Sequence, residues 1–325
     1  MLRTQGASAM RVLNVSFAVT TAMALAGCGP DTTDYGTSAQ SSNVGQSDAE
    51  MEFCVDVEWA GQEYAEPGIF LVPVRVNGDL LKMQVDTGAD YGGLYGAVAD
   101  WPDIAFSESE SGPSNVDIKS ITIAGRPLNP DNMLHYDSNN RGEVSGTIGY
   151  DNLRGRIWLI DPNADRFCNL EPDHSLMRTA QFVDTPIRYN KQYLPLEFNG
   201  EAIEGVFFDT GSVFSVLLPD LWHLTTDPNT ASVDVEVPAW GEMITLNGQG
   251  ARPGWTMGGQ TVPLEIIFRE DNPDILRDDR LDVPMKGLFG MSAFPSKAVV
   301  LDLRDGKERF GLVPFLPQEP DADSP

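Results

Sequence analysis

Two stretches of the chain alternate apolar and polar residues in the same way and then enter the same turn. Val72-Pro73-Val74-Arg75-Val76 precedes Asn77-Gly78, and Leu194-Pro195-Leu196-Glu197-Phe198 precedes Asn199-Gly200. Alternation with a period of two is typical of a strand with one buried face, and Asn-Gly favours the tight turn of a hairpin. The pattern therefore predicts two equivalent β-hairpins.

Three further landmarks follow each hairpin in one order: a short strand with a glycine turn, an uncharged pair before glycine, and an apolar strand that ends in aspartate. They are Ile121–Gly125, Thr147–Gly149 and Ile157–Asp161 in the first half, and Trp255–Gly259, Leu288–Gly290 and Val299–Asp302 in the second. Any all-β chain repeats strands and turns, which would explain one or two such matches. The full series in register predicts two copies of one unit.

The tripeptide Asp-Thr-Gly lies between these landmarks in each half. It occurs at Asp86-Thr87-Gly88, before Ala89, and again 123 positions later at Asp209-Thr210-Gly211, before Ser212. Chance would place on the order of 0.1 such tripeptides in a chain of this length. One copy is readily explained as an aspartate that caps a turn after a strand. Two copies in matching frames predict a paired carboxylate site.

These motifs together resemble the retropepsin-like aspartic peptidases, relatives of pepsin, with two units fused in one chain. The resemblance is carried by the two Asp-Thr-Gly turns and by Thr147-Ile148-Gly149 and Leu288-Phe289-Gly290, and it covers roughly residues 65–315. It implies an all-β fold of two pseudo-twofold-related β-barrel lobes with the active site between them. We expect only short helical turns, near 151–153, 219–223 and 292–294.

The same resemblance implies roles for individual residues. Asp86 and Asp209 would be the catalytic pair, and six residues would support the two turns: Thr87, Gly88, Thr210, Gly211, Ser212 and Ser215. The family usually carries a hydroxyl residue at the position of Ser215, where the first unit has Gly92 instead. The first unit also has Thr147 in its apolar pair. Both departures predict a looser first turn.

Paired carboxylates suit the hydrolysis of a peptide bond by water. Two carboxylates about 3 Å apart cannot both ionise, so they share one proton and their pKa values separate. The ionised member then takes a proton from a water held between the two, while the protonated member donates a hydrogen bond to the scissile carbonyl. This chemistry requires no cofactor and no serine or cysteine nucleophile.

An extended peptide would lie across the cleft, and in the family a hairpin flap closes over it. The candidate flaps are 107–115 and 238–250, with Gly112 and Trp240 near their tips. Plain surface loops would have a similar composition, so both interpretations stay open. The longer spacing in the second unit favours a longer flap there.

The N-terminus is typical of a secretory signal, with Arg3 and Arg11 before or within the start of an apolar stretch that ends in Leu25-Ala26-Gly27-Cys28. That ending resembles a bacterial lipobox, which implies lipidation at Cys28 and an envelope protein anchored at the outer membrane, facing the periplasm or the surface. An ordinary signal peptide that contains cysteine is the alternative. The predicted organisation is a signal at 1–27, a flexible tether at 28–50, lobes at 51–178 and 179–316, and a disordered tail at 317–325.

The two remaining cysteines, Cys54 and Cys168, bracket the first unit. An oxidising compartment permits a disulfide between them, but the sequence leaves the pairing open. A metal site is not expected, because the three histidines, His135, His174 and His223, lack ligand spacing.

A net charge of −26 argues against nucleic acid as a partner, because its phosphates would be repelled. Such acidity fits a saline habitat or solubility, or simply a solvated surface. The leading function is an aspartic endopeptidase that acts on peptides or proteins as a monomer, since both units are in one chain, with the lipid as its only membrane contact. The alternatives are a non-catalytic peptide-binding lipoprotein of the same fold and a structural envelope lipoprotein.

Overall fold

The structure is a computed structural model that describes residues 51–60, 67–97, 101, 104–106, 114–123, 126–136, 144–239, 242–271, 285–295 and 297–314. All of them belong to Gln46–Pro325, which forms one compact unit. The predicted signal peptide with Cys28, the tether and the tail at 317–325 lie outside the described residues. So do the predicted flap tips, Gly112 and Trp240.

The described chain is all-β. Its strands up to residue 170 are β1 (Met51–Asp56), β2 (Glu58–Ala60), β3 (Ile69–Val76), β4 (Asp79–Val85), β5 (Gly93–Tyr95), β6 (Ala105–Phe106), β7 (Ser114–Asp117), β8 (Ile121–Ile123), β9 (Arg126–Pro127), β10 (Leu134–Tyr136), β11 (Gly146–Ile148), β12 (Ile157–Asp161) and β13 (Arg166–Leu170).

The strands after residue 180 are β14 (Gln181–Asp184), β15 (Ile187–Arg188), β16 (Lys191–Gln192), β17 (Leu196–Phe198), β18 (Glu201–Ile203), β19 (Val206–Phe208), β20 (Val216–Leu217), β21 (Val233–Ala239), β22 (Glu242–Gly250), β23 (Trp255–Met257), β24 (Gln260–Thr261), β25 (Ile266–Arg269), β26 (Gly287–Phe289), β27 (Lys297–Asp302) and β28 (Arg309–Pro314).

Helices are short wherever the structure describes the chain. The predicted turns are confirmed as α1 (Tyr150–Leu153), α3 (Pro219–Thr225) and a 3₁₀ turn (Met291–Ala293). One further helix, α2 (Leu176–Thr179), was not predicted. Among the described residues, none of these helices has the length and apolar content needed to span a membrane.

Both predicted hairpins are confirmed. In β3, Val72, Val74 and Val76 are buried while Pro73 and Arg75 point outward, so the alternation places one face of the strand in the core. The Asn-Gly turns that end β3 and β17 have positive φ at both residues: 50° and 103° at Asn77-Gly78, and 53° and 83° at Asn199-Gly200. Two positive φ angles in succession define the turn type that suits the twist of a hairpin.

A six-stranded sheet joins the two halves, in the order β1-β13-β12-β27-β28-β14. We call it the shared sheet. Its order is symmetric about the central antiparallel pair, where Ile157 of β12 lies opposite Asp302 of β27. The strands that the sequence placed last in each unit therefore meet at the pseudo-twofold axis.

The remaining strands repeat one topology. The first lobe has the order β6-β7-β10-β5-β11-β4-β3-β8-β9, and the second has β21-β22-β25-β20-β26-β19 beside β18-β17-β23-β24. In both, the strand before Asp-Thr-Gly pairs in parallel with the strand of the second glycine motif: β4 with β11, and β19 with β26. The second lobe differs because Glu204-Gly205, with a φ of 84° at the glycine, separates β18 from β19. The predicted duplication is confirmed.

The structure joins Cys54 and Cys168 in a disulfide, with their Cα atoms 4.0 Å apart. The two residues lie directly opposite one another in the antiparallel pair of β1 and β13. The bond therefore fastens the first edge of the shared sheet to its neighbour. In the chain-entropy model, closing a loop of this length stabilises the fold by about 4–5 kcal/mol.

A buried ion cluster lies at the end of β27, in the second half of the shared sheet. Asp302 is fully buried at the end of β27; Arg304 donates from Nε and Nη2 to its two oxygens at 2.8 Å each, and Arg309 donates to Oδ2 at 2.9 Å. Burial raises the pKa of Asp302, but the hydrogen bonds from the two arginines outweigh burial and hold the pKa below its ordinary value. The carboxylate is thus ionised in the fold.

Replacement Asp302→Asn is expected to lower the free energy of unfolding by about 3 kcal/mol at neutral pH, the lower end for a broken buried pair, because both arginines keep some solvent access. The wild-type advantage should be complete above the unfolded pKa of about 3.9 and fade as the pH falls through the lower folded value. Urea unfolding at several pH values measures both effects.

The matched control is Asp161→Asn, since Asp161 occupies the equivalent strand end in β12. It accepts hydrogen bonds only from turn amides, at 3.1 Å from Asn163 and 3.2 Å from Ala164, among its described contacts. Losing part of a turn cap should cost no more than about 1 kcal/mol. Equal losses for the two variants would contradict the account of the ion cluster.

Candidate active site

The two Asp-Thr-Gly turns meet where the lobes face each other. Each aspartate directly follows a buried strand, and its backbone N–H donates to the strand of the second glycine motif: Asp86 to the Ile148 carbonyl at 2.9 Å, and Asp209 to the Phe289 carbonyl at 3.0 Å. The parallel pairing of these strands therefore fixes where each turn begins. Asp86 after β4 and Asp209 after β19 thus occupy equivalent positions in the two lobes.

The threonines bind the two turns to each other. Thr87 N–H donates to Thr210 Oγ1 at 3.0 Å, and Thr210 N–H donates to Thr87 Oγ1 at 3.1 Å. Each hydroxyl also donates across the seam, from Thr87 to the Phe208 carbonyl at 3.2 Å and from Thr210 to the Val85 carbonyl at 2.9 Å. Both side chains are buried, so these four reciprocal bonds hold the turns in one relative position.

Each glycine of the tripeptides touches the aspartate of the opposite turn. A Cβ atom added to Gly88 would lie 2.4 Å from Asp209 Cγ, and one added to Gly211 would lie 2.3 Å from Asp86 Cγ. Any other residue would overlap a carboxyl group, so glycine is required by close approach rather than by φ. The two carboxyl groups therefore face each other across the seam, each against the glycine of the opposite turn.

The environment of Asp209 favours its protonated form. Its Oδ1 accepts from Gly211 N–H at 2.7 Å and from Gly88 N–H at 3.2 Å. Burial and then the neighbouring charge of Asp86 raise the pKa of Asp209 well above its ordinary value, against the opposing effects of the Gly211 N–H and of Lys191. A raised pKa at one of two adjacent carboxyl groups is what a shared-proton dyad requires.

The raised pKa of Asp209 also makes the stability of the fold depend on pH. A carboxyl with a raised folded pKa contributes stability that is fully present below the unfolded pKa of about 3.9 and is lost as the pH rises through the folded value. Asp209 therefore favours the folded state in acid, opposite in sign to the Asp302 cluster.

The glycines of the second motifs allow a strand to pass directly behind each turn. A Cβ added to Gly149 would lie 2.3 Å from the Tyr91 carbonyl carbon, and one added to Gly290 would lie 2.4 Å from the Phe214 carbonyl oxygen. Both obstacles are backbone atoms, which cannot move aside as a side chain can. The second motif therefore needs glycine in each lobe.

The first turn is bonded like the second, which does not support the expectation that it is looser. Tyr150 and Asp151 N–H donate to the Ala89 and Asp90 carbonyls at 2.9 and 3.1 Å. In the second lobe the corresponding bonds run from Met291 and Ser292 to Ser212 and Val213, at 3.2 and 3.3 Å. Backbone donors thus satisfy both turns without a hydroxyl at the position of Gly92.

The structure does not support the predicted role of Ser215 in the turn. Its Oγ is buried and makes no hydrogen bond among the described residues. Ser212 does support its turn, donating from Oγ to the Phe214 carbonyl at 2.9 Å.

The structure also explains why Gly92 and Thr147 fit at their positions. A Cβ at Gly92 would lie 2.3 Å from Asn152 Oδ1, and Asn152 uses that atom to accept from Gly149 N–H at 3.0 Å. Thr147 is buried, and its hydroxyl is hydrogen-bonded to the Tyr95 hydroxyl. At both positions where the chain departs from the family pattern, a neighbouring side chain therefore makes a specific contact: Asn152 beside Gly92 and Tyr95 with Thr147.

The candidate flaps belong to β-hairpins at equivalent sheet edges. In the second lobe β21 and β22 pair over seven positions, from Val233 opposite Gly248 to Ala239 opposite Glu242. In the first lobe β6 and β7 pair at Ala105 opposite Asp117 and at Phe106 opposite Val116. The residues that connect each pair, 107–113 and 240–241, lie outside the described residues.

Two side chains at the site were missed by the sequence reasoning. Gln84 donates from Nε2 to the Gly211 carbonyl at 3.1 Å, and Lys191 donates from Nζ to the Gly88 carbonyl at 2.8 Å. Gln84 gave a signal, since it is a polar residue inside a strand whose counterpart before Asp209 is wholly apolar. Lys191 gave none, because its contact spans 103 positions.

A metal-binding cluster of three or more histidine, cysteine, aspartate or glutamate residues is not found within the described part of the chain. His135 instead contacts the Gly96 carbonyl through Nε2 at 2.7 Å. His174 accepts from Leu176 N–H at 3.1 Å.

Neither a family model nor a curated protein matches the sequence. Among solved structures, the chain is similar to an aspartic proteinase from Irpex lacteus, with 13% sequence identity and a TM-score of 0.43 over 81% of this chain and 97% of that one. The strand order, the strand pairing and the two meeting turns define the fold.

Proposed function

We propose that the protein is an aspartic endopeptidase in which Asp86 and Asp209 activate a water molecule. The observation that supports this best is that two carboxyl groups face each other at the seam, each against the glycine of the opposite turn and close enough for the charge of Asp86 to raise the pKa of Asp209. Such contact between acids disfavours double ionisation, so the pair holds one proton between them. The same pair then has a base and an acid available at one place.

The chemistry follows from the positions of the two groups. The ionised carboxylate removes a proton from water, which attacks the scissile carbonyl carbon. The protonated carboxyl gives its proton to the carbonyl oxygen as the carbon becomes tetrahedral. The carboxyl that took a proton from water passes it to the nitrogen as the C–N bond breaks, and the gem-diol returns a proton to the other carboxylate. Because the threonine bonds fix both turns in advance, little reorganisation is needed during the reaction. The titration belongs to the pair, so we assign the first proton to the pair rather than to one residue.

The substrate in this proposal is an extended peptide or protein segment. A strand-like peptide satisfies its backbone groups by pairing with strand edges, and the two hairpins β6–β7 and β21–β22 lie at the edges of their sheets. The proposal also includes a single-chain enzyme without cofactor or nucleic-acid partner, held at the bacterial envelope through a lipid on Cys28.

The test is incubation of the full chain with a mixed peptide library between pH 3 and 7, followed by mass spectrometry of the products. The proposal predicts internal cleavage that a statine-type inhibitor blocks and that serine, cysteine and metal-directed reagents leave intact. Peptide retention without any cleavage would contradict it and favour the peptide-binding alternative. Neither retention nor cleavage would favour a structural envelope protein.

A further inference from the structure

Lys191 reaches the first catalytic turn from the second lobe. It lies in β16, is 8% exposed, and donates from Nζ to the Gly88 carbonyl at 2.8 Å and to Asp90 Oδ1 at 2.5 Å. A buried lysine loses the hydration of its charge, and this is recovered only where acceptors surround the ammonium group. A buried ammonium group, which is unfavourable without such acceptors, therefore lies next to the candidate site.

The pseudo-twofold symmetry shows what this lysine replaces. Gln84 stands two residues before Asp86 and donates across the seam to the Gly211 carbonyl at 3.1 Å. The residue two before Asp209 is Phe207, which has no donor. Lys191 Nζ lies 5.8 Å from the centre of the Phe207 ring and supplies the missing donor to the Gly88 carbonyl. The glycine carbonyl of each catalytic turn therefore accepts a side-chain hydrogen bond from the opposite lobe, neutral at Gly211 and cationic at Gly88.

The turn that carries Lys191 is itself fastened to the first lobe. Tyr189 and Asn190 have φ angles of 49° and 57°, and Asn190 Nδ2 donates to Asp151 Oδ1 at 3.2 Å. Asp151 in turn lies 3.8 Å from Arg154 in its closest ion-pair contact. The charged groups around the ammonium are thus Asp90 in contact, the Asp86–Asp209 pair beyond Gly88, and Asp151 with Arg154 behind Asn190.

We propose that Lys191 is a positioning residue of the carboxylate dyad: it holds the first catalytic turn from the opposite lobe and makes the dyad electrostatically asymmetric. This inference rests on the proposed function for its kinetic consequences, but not for its structural ones. The charge of Lys191 opposes the raised pKa of Asp209. Loss of the cation should therefore move the alkaline limit of activity to higher pH.

The kinetic test compares Lys191→Met, Lys191→Gln and wild type in the full chain. Lys191→Met removes donor and charge, so kcat should fall about 30-fold while KM stays within about twofold, as expected for a displaced catalytic group. Lys191→Gln restores a neutral donor, so much of kcat should return while the alkaline limit stays displaced. Loss in KM alone, or an unmoved pH limit in both variants, would overturn the proposal.

The matched control is Lys82→Met, because Lys82 lies on β4, two residues before Gln84, but pairs with Glu58 at 2.8 Å on the surface. Its kcat and pH profile should match those of wild type. If Lys82→Met has the same effect as Lys191→Met, the effect is one of general charge and the proposal fails.

A second readout separates this proposal from the proposed function. Hydrogen exchange of the amides at 87–90 should be at least about tenfold faster in Lys191→Met, because Thr87 and Gly88 N–H bonds depend on the position of this turn. Exchange there should be unchanged in Lys82→Met. If wild type cleaves no peptide but exchange behaves as stated, only the proposed function fails. Unchanged exchange in Lys191→Met overturns the positioning role in either case.

Discussion

Replacement of Asp86 or Asp209 by asparagine is expected to lower kcat for peptide cleavage about 10,000-fold, the upper range for loss of an acid–base group. Asparagine keeps the shape of aspartate but can neither take the proton from water nor share one with its neighbour. In the proposed mechanism the two carboxyls act as one unit, so the double variant should be no slower than either single variant. Steady-state kinetics on one cleaved peptide measures this.

Asp79→Asn is the matched control, since Asp79 begins the same strand, β4, and is exposed at the far end from the site. It should retain wild-type kcat. Activity that survives in either asparagine variant at the site would assign the cleavage to other residues, and additive losses in the double variant would show that the carboxyls act separately.

Replacement of Gly88 or Gly211 by alanine is expected to lower kcat about 100-fold without unfolding the protein. The added methyl group would lie 2.4 or 2.3 Å from the opposite carboxyl carbon, whereas ordinary contact begins at 3.4 Å. The carboxyl must therefore move by about 1 Å, and a displacement of that size in a reacting group costs about 100-fold. The atoms that the methyl group would overlap belong to the carboxyl group at the tip of the aspartate side chain, so they can move while the backbone stays in place.

Gly311→Ala serves as the control for the same degree of overlap elsewhere. Its methyl group would lie 2.6 Å from the Phe182 ring, in the shared sheet, with ring atoms of Phe182 rather than a carboxyl group as its nearest neighbours. It should lower the melting temperature but leave kcat within about threefold of wild type, since no reacting group moves. Wild-type kcat in Gly88→Ala and Gly211→Ala would contradict the contact between each glycine and the opposite aspartate.

The local parts of the fold could be predicted because their causes are local. The alternation in β3 and β17 fixes which face is buried, and Asn77-Gly78 and Asn199-Gly200 accept positive φ whatever surrounds them. The pairing of the two aspartates was also predictable, because repetition in one order implies equivalent positions in two similar units.

The parts that could not be predicted depend on contacts between distant residues. The expected role of Ser215 came from one position in a pattern, whereas backbone amides of residues 291 and 292 already occupy the acceptors of that turn. The expectation drawn from Gly92 also lacked a distant contact, because Asn152 fills the space that a side chain there would need. Lys191 could not be found at all, since nothing in its neighbours along the chain indicates a partner in the other lobe.

The most direct test of the shared-proton dyad is titration of the aspartate carboxyl carbons by ¹³C NMR in wild type and in Asp209→Asn. The account predicts that wild type keeps one carboxyl proton well above the ordinary aspartate pKa of about 3.9, and that this high titration disappears in the variant. Titration of every aspartate in the ordinary range in wild type, or persistence of the high titration in Asp209→Asn, would contradict it.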